Sequence, residues 1–580
     1  MCTIESRCLV FKNFGLDEVR LTDHEFASRR QLVKNYIAEF DLNRLLHTFK
    51  LNAGLPSDAE PLGGWESSES GLRGHFAGHY LSACAKFAHG DQDQALRRKA
   101  FHIVDIMEAC AKPNGYLSAF EEEKLDILEA EEDRNVWAPY YTLHKIMQGL
   151  VDCYLYLHNP KALSLARNLA YYVKQRMDKL SHWKKDGILR CTKVNPANEF
   201  GGMGDTLYTL YEVTGDRQIL ELANQFDRPY LLHPLEAGTD VLENLHANTH
   251  LPMVLAAMHR YNISGEDKYQ AAAIHFYAYL QGRTFANGNN SSKATDYIPG
   301  GVSERSEHWG AYGELGDALT GGESESCCAH NTERILERLL EWSGSVEYLD
   351  HLESLKYNAI LNSASSSTGL SQYHQPLGCG VSKTFSGPYD TFWCCTASGV
   401  EAMSELQKNI WFKSGDALLL NAFISSTLNW KDKNLQIIQE SRFPDGLLST
   451  LQIKAVGPTV FKLILKEQAV AAVTINSVPQ VLQRENGYYA IERVFADQDR
   501  IEIEIAAALH RVPLPGAEHL AAVKYGNVLL ARVGPAQQES FVPLFRVEEE
   551  EYTVYLDAEG HEGSGRPFSR AQDGRAAYAD

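Results

Sequence analysis

The chain lacks an excess of positive charge: 55 Lys and Arg stand against 75 Asp and Glu, a formal net charge of -20 over 580 residues. Nucleic acids and anionic membranes draw affinity from clustered cations, so this balance argues against both as partners. The first thirty residues mix acids and bases and hold no apolar run long enough for a secretion signal or membrane span. That absence predicts a cytoplasmic protein. Cysteine is scarce as well: eleven residues, scattered apart from the adjacent pairs Cys327-Cys328 and Cys394-Cys395. Such usage argues against a disulfide framework and leaves buried thiols, catalysts or metal ligands. No clear fixed-period repeat is present either.

What is there is ordinary globular composition, 44% hydrophobic and 22% charged, in a chain too long for one core. From about residue 30 to 415 apolar residues recur at helical spacing, as in KAFHIVDIMEACAK and TERILERLLEWS. Paired helices over this stretch suit a ring of helical hairpins. After about 415 the pattern changes to short alternating runs such as VFKLILK and RIEIEIAAAL, which predicts a β-sandwich. The expected organisation is a helical catalytic domain over 1–415 with a short N-terminal extension, a β-sandwich over 416–560 and a mobile tail over 561–580.

Three segments concentrate acids and thiols: the loop with Glu304 and Glu307, the run Glu323 to Cys328, and Trp393 to Thr396. Three thiolates and a carboxylate make a tetrahedral donor set for a borderline-soft ion, most commonly zinc. Adjacent cysteines tend to diverge, however, and buried inert thiols remain the alternative on spacing alone. Histidines also gather beside aromatic and glycine residues, at His75, His79, His144, His246, His250 and His374. Each alone reads as a hydrogen-bonded core residue. Together they suit a polar pocket that holds sugar hydroxyls.

On these residues the chain resembles the DUF1680 proteins, which include glycoside hydrolase families 127 and 146. The motifs that carry the resemblance run in order from GWES and LRGHFAGHYLSA through VWAPYYTLHKIMQGL, NEFGGM and ANTHLP to GGVSERSEHW, ESCCAHNTERIL and PYDTFWCCTASGVE. The resemblance implies an (α/α)6 barrel followed by a C-terminal β-sandwich. It also implies retaining, zinc-dependent exo-hydrolysis of β-L-arabinofuranosides in oligosaccharides or glycoconjugates. By the same likeness Glu325, Cys327, Cys394 and Cys395 hold Zn2+, Cys394 is the nucleophile and Glu307 the general acid/base. Glu304 is the alternative acid, because Ser306 stands where relatives carry Gly. His144, His250, His79, Glu199 and Tyr373 are the expected sugar ligands. Gly204-Asp205 replaces the Asn-Glu of relatives and is expected to alter sugar specificity. A glycosidase for another furanose or modified sugar, and a non-catalytic zinc-stabilised carbohydrate-binding protein, are the rival readings. Homodimerisation is left open. A catalytic Glu307 is expected to have a raised pKa, so that it starts protonated.

Overall fold

The computed structural model describes residues 10–130, 136–190, 199–293, 306–378, 381–532, 546–548, 551–556 and 562–567. Six helices form an inner ring: His75–Gly90, Pro139–Leu157, Met203–Thr214, Ala247–Ser264, Ser326–Ser343 and Cys394–Ser404. Each packs on the next, and the last closes on the first. Around them lie His24–Glu39, Gln94–Cys110, Pro160–Met177, Arg217–Asn224, Asp267–Gln281 and Val346–Leu355. This is the expected double-layered helical barrel.

Burial explains which helix goes where. Every residue of Cys394–Ser404 is buried, and so is His75–Gly90 from His75 to Ala88. A helix enclosed on all sides can only sit inside the ring. Gln94–Cys110 buries only the stripe Leu96, Ala100, Ile103, Val104, Met107 and Cys110, so its remaining face is free for solvent. The inner helices His75–Gly90 and Pro139–Leu157 cross most tightly at two glycines. A Cβ at Gly78 would fall 2.1 Å from the Lys145 carbonyl, and one at Gly149 would fall 2.3 Å from that of Gly78. Only hydrogen fits there. Side chains of Asp93, Asn159 and Asp216 cap outer-layer helices by accepting from their first free amides.

The change from helix to strand falls between Ser404 and Trp411. Two sheets follow. One runs in the order Lys12–Asn13, Trp411–Ser414, Ala417–Leu420, Thr459–Lys466, Tyr488–Phe495, Gln483–Glu485. The other runs Val478–Pro479, Val470–Ile475, Arg500–Ile505, Leu448–Ala455, Leu435–Ser441, Ser426–Trp430, Val19–Leu21. Alternating burial along Leu435–Ser441 shows the one-sided strands that make a sandwich. The N-terminal extension is therefore not an appendage of the barrel, since its two short strands complete both sandwich sheets.

The remaining β segment departs from the expected boundaries. Strands after residue 508 form a separate six-stranded sheet, and Glu562–Pro567, expected in a tail, pairs with Val528–Arg532 and Glu551–Leu556. Residues 568–580 lie outside the described residues. Alternation reports a strand but not its neighbour, so the pattern could not separate this sheet from the sandwich. The turn between its strands Leu509–Leu514 and Ala517–Tyr525 docks on the barrel: the Leu315 amide donates to the Pro515 carbonyl at 2.8 Å. Phe285, Leu315, Leu377 and Leu529 share a small apolar cluster there. Among the described residues, no helix is long and apolar enough to cross a membrane.

Candidate active site

The thiols and acids singled out from the sequence meet where two neighbouring inner helices begin. Glu325 is the N-cap of Ser326–Ser343, which puts Cys327 in its first turn, and Cys394 and Cys395 are the first two residues of Cys394–Ser404. Cys327 Sγ lies 3.1 Å from Cys395 Sγ, and Cys394 Sγ lies 3.9 Å from Cys395 Sγ. Glu325 Oε1 stands 3.6 Å from Cys394 Sγ and 3.4 Å from Cys395 Sγ. A donor atom of each of the four residues falls within 4.8 Å of all the others, and all four residues are buried. A tetrahedral zinc with thiolate bonds of about 2.3 Å has edges of roughly 3.7 Å, so the donor set fits that ion in chemistry and in spacing. The expected divergence of adjacent cysteines does not occur, because the helix start directs both thiols to one side.

Supporting groups aim the carboxylate. Cys328 Sγ donates to Glu325 Oε2 at 3.5 Å, which leaves Oε1 for Cys394 and Cys395. The Glu325 amide donates to Ser291 Oγ at 3.1 Å, and Asn289 Nδ2 donates to the Glu325 carbonyl at 2.8 Å. Asn287 and Asn289 both donate to Ser324 Oγ, while Asn290 joins Thr332 to the Trp309 indole. All three asparagines are fully buried. Burial, followed by the charge of Cys394, pushes the Glu325 carboxyl well above its ordinary range. A dication among these groups would relieve that crowding of negative charge.

Glu307 faces the cluster from the short strand Ser306–His308, with a left-handed backbone (φ 66°) that few non-glycine residues adopt. Its Oε2 lies 3.0 Å from His246 Nε2 and its Oε1 3.7 Å from His374 Nε2. The Thr249 amide points at His246 Nδ1 at 3.2 Å. The paired carboxylate favours an imidazolium at His246, whereas this amide favours a neutral ring. An amide cannot turn its hydrogen away, so we assign the neutral tautomer with its proton on Nε2, donated to Glu307. Burial works to raise Glu307, but the hydrogen bond donated by His246, the neighbouring His374 ring and a hydrogen bond with Tyr373 outweigh it. The carboxyl is held below the ordinary carboxylate range. This overturns the expectation of a raised pKa in the substrate-free protein. Glu304 lies outside the described residues.

The expected sugar ligands divide. A cavity of about 240 Å³ along the barrel axis is lined by Cys394 and Cys327 together with Tyr141, His79, His144 and Glu199. His144 Nδ1 is buried without a hydrogen-bond partner, and burial holds the ring neutral. Tyr373 stands half-buried beside Glu307 and packs against the thiol cluster. His250 is not brought to the cavity: its Nδ1 donates to the His246 carbonyl at 2.7 Å and its Nε2 accepts from Tyr230 at 3.1 Å. Both nitrogens are used, so the ring braces the helix start and has nothing to offer a sugar. His246, which the sequence left open as a helix cap or loop brace, caps Ala247–Ser264 by accepting from the Thr249 amide and also contacts Glu307. Asp205 is buried and bound by Arg334 and Arg338 at 2.7 Å each and by His259 at 2.9 Å. It is committed to these cations, so the Gly204-Asp205 departure builds a charge hub in the barrel wall.

Further down the axis, Lys86 pairs with Glu405 at 2.5 Å, and His79 and His330 lie 3.4 and 3.7 Å from Glu401. Although burial works to raise them, Asp205, Glu401 and Glu405 are all held below the ordinary carboxylate range by these cationic neighbours. A depressed folded-state pKa contributes stability above the unfolded value of about 4 and loses it as pH falls toward the folded value. The melting temperature is therefore expected to drop steeply as pH is lowered from about 4.5. An unchanged melting temperature down to about pH 3 in a calorimetric series would refute this account.

Asn287, Asn289, Asn290 and Ser291 were not named from the sequence. Their signal was a polar run, Asn287 to Ser292, too dense in amides for solvent-facing loop alone. Lys145, which lines the cavity and feels Glu401 and Cys327, carried no local signal.

Residues 18–408 match the family described as beta-L-arabinofuranosidase, GH127 catalytic domain, and residues 417–507 match its GH127 middle domain. Among curated proteins none matches the sequence significantly. Similar solved structures include Ara127N-Se, a GH127 beta-L-arabinofuranosidase from Geobacillus stearothermophilus T6, at 14% identity and TM-score 0.71 over 97% of this chain and 99% of that one. Another is the GH127 beta-arabinofuranosidase BT3674, at 17% identity and TM-score 0.72 over 99% of each chain. At such identities these structures establish the shared fold. The match over 18–408 establishes the family: this chain belongs to the GH127 beta-L-arabinofuranosidases and is a glycoside hydrolase.

Proposed function

We propose that the protein is a retaining exo-β-L-arabinofuranosidase in which Glu325, Cys327, Cys394 and Cys395 hold a zinc ion, Cys394 is the nucleophile and Glu307 the general acid/base. The observation that carries this reading is the convergence of those four donors beside a polar cavity. Cys394 is 8% exposed and faces the cavity, whereas Cys395 is fully enclosed. Of the adjacent pair, only the first can reach a sugar.

Free cysteine is mostly neutral at pH 7, and a zinc ion held by Glu325, Cys327, Cys394 and Cys395 would favour the thiolate form of Cys394. Cys394 then attacks the anomeric carbon while Glu307 gives its proton to the leaving oxygen, so the glycosidic bond breaks as a carbon–sulfur bond forms. In the second half Glu307, again a carboxylate, takes a proton from water as that water displaces sulfur. Its lowered pKa keeps the group ionised, as a base must be before it accepts a proton. For the first half, entry of the sugar expels water and leaves Glu307 close to the negative cluster, and both changes favour its protonated form. The His246 hydrogen bond fixes the carboxylate's orientation throughout.

A panel of p-nitrophenyl glycosides, with metal content measured on the same preparation, tests the assignment. Turnover of the β-L-arabinofuranoside above all others is expected, with about one zinc per chain and β-L-arabinofuranose as the first product by NMR. Preference for another furanoside would favour a relative with different sugar specificity. Zinc binding without any turnover would favour the carbohydrate-binding alternative.

A further inference from the structure

We infer that Trp65 and Trp137 form a leaving-group subsite, an aromatic platform at the cavity mouth that stacks on the C–H face of a second sugar ring. This rests on the glycosidase reading above and names the substrate class it serves. The two indoles meet edge to face with centroids 4.7 Å apart, and Trp65 continues to Tyr373 at 6.0 Å. Tyr373 in turn is hydrogen-bonded to Glu307. The arc therefore starts at the group that protonates the leaving oxygen and runs outward over the thiol cluster, against which Trp65, Trp137 and Tyr373 all pack. Both tryptophans are half-buried, with part of each ring open to solvent.

Their backbones are held far more firmly than an exposed ring requires. The Gly63 and Trp65 amides donate to the carbonyls of Tyr389 and Thr391, each at 2.9 Å. A Cβ at Gly64 would lie 2.1 Å from the Thr391 carbonyl, so the short 3-10 turn Gly64–Glu66 that carries Trp65 is clamped onto the segment leading to Cys394. The next residue, Glu66, accepts from the amides of Gly74 at 2.6 Å and Phe76 at 2.7 Å, which locks the loop to an inner helix. Trp137 is pressed on Gly71, where a Cβ would come within 2.9 Å of the Trp137 Cβ. Two indoles fixed in this way and left part-open beside a catalytic acid have the form of a preorganised stacking surface, which gains affinity by having little freedom to lose. Inside the cavity the lining groups His79, His144 and Glu199 are polar, as hydroxyl recognition requires. The rings lie outside that polar wall, where the departing group must sit.

The test compares two substrates of the same reacting sugar: a β-L-arabinofuranosyl disaccharide, whose leaving group is a sugar ring, and methyl β-L-arabinofuranoside, whose leaving group cannot stack. Trp65→Ala and Trp137→Ala are expected to lower kcat/KM on the disaccharide by about tenfold and on the methyl glycoside by less than about threefold. Trp65→Phe should recover most of the loss, and metal content and melting temperature control for misfolding. Equal losses on both substrates, or none on either, would overturn the platform. Failure of the underlying reading looks different. If the wild type cleaves neither substrate, the arabinofuranosidase assignment falls, and the platform is then judged by quenching of tryptophan fluorescence with free L-arabinose. Quenching that Trp65→Phe and Trp137→Ala weaken supports it, and unchanged or absent quenching sinks it.

Discussion

Replacing Cys394 with serine is expected to leave a folded protein whose turnover is reduced on the order of 10⁴-fold or more, the scale seen when an enzyme loses its nucleophile. The substitution is nearly isosteric, and Cys394 makes few demands on the fold: its sulfur contacts Cys395 at 3.9 Å and Glu325 at 3.6 Å, both looser than the 3.1 Å between Cys327 and Cys395. The remaining three donors keep a site for the metal, although with weaker affinity. What disappears is a polarisable sulfur anion at the cavity surface, which a serine hydroxyl cannot replace at neutral pH. Circular dichroism, metal content and kcat measured on one preparation separate the possibilities. More than about 1% residual turnover would move the nucleophile elsewhere. Loss of fold together with metal would instead make the cluster a structural staple.

Glu307→Gln is the second large effect. The amide oxygen still accepts the His246 Nε2–H at the 3.0 Å position, so the short strand and its left-handed backbone are expected to persist. Proton transfer is lost, which lowers kcat by about 10²–10⁴-fold for an alkyl or sugar leaving group. A p-nitrophenolate leaves without much help from an acid, so with that substrate the first step survives and the second stalls for want of a base. Glycosylated enzyme should then accumulate, visible by denaturing mass spectrometry as one pentosyl group on Cys394. Azide, a nucleophile that needs no base, should restore aryl-glycoside turnover. In the wild type, kcat/KM for a poor leaving group should decline as pH rises, because His246 and His374 keep the free carboxyl ionised and each pH unit depletes the protonated form further. That decline should vanish in Glu307→Gln, and its persistence would assign the titration to another group.

Much of the fold was legible because it follows from periodicity. Outer helices such as Gln94–Cys110 carry the 3.6-residue repeat, and the strands Leu435–Ser441, Leu448–Ala455 and Arg500–Ile505 alternate as sandwich strands do. The sheet beyond residue 508 was not legible, since a strand pattern does not name its neighbours and only pairing distinguishes this sheet from the sandwich. Within the site, the motifs led to Glu325, Cys327, Cys394, Cys395 and Glu307, which the structure brings together. Local pattern could not rank the histidines. His246 and His250 are four residues apart on one helix start, yet one ring contacts Glu307 and the other spends both nitrogens on Tyr230 and a carbonyl. Their difference comes from the short strand Ser306–His308 and from the helix Pro229–Glu236, both distant in sequence.

By itself the sequence determined which chemistry was available: three thiols and an acid in separate segments, a net negative charge, and a helical half followed by a β half. Composition and period are local properties, so they can be read one segment at a time. Only the tertiary structure decided the geometry. It placed two helix starts side by side, so that thiols 67 and 68 positions from Cys327 reach one carboxylate oxygen. It also set the protonation of Glu307, because burial and the His246 hydrogen bond oppose each other and only their distances say which prevails.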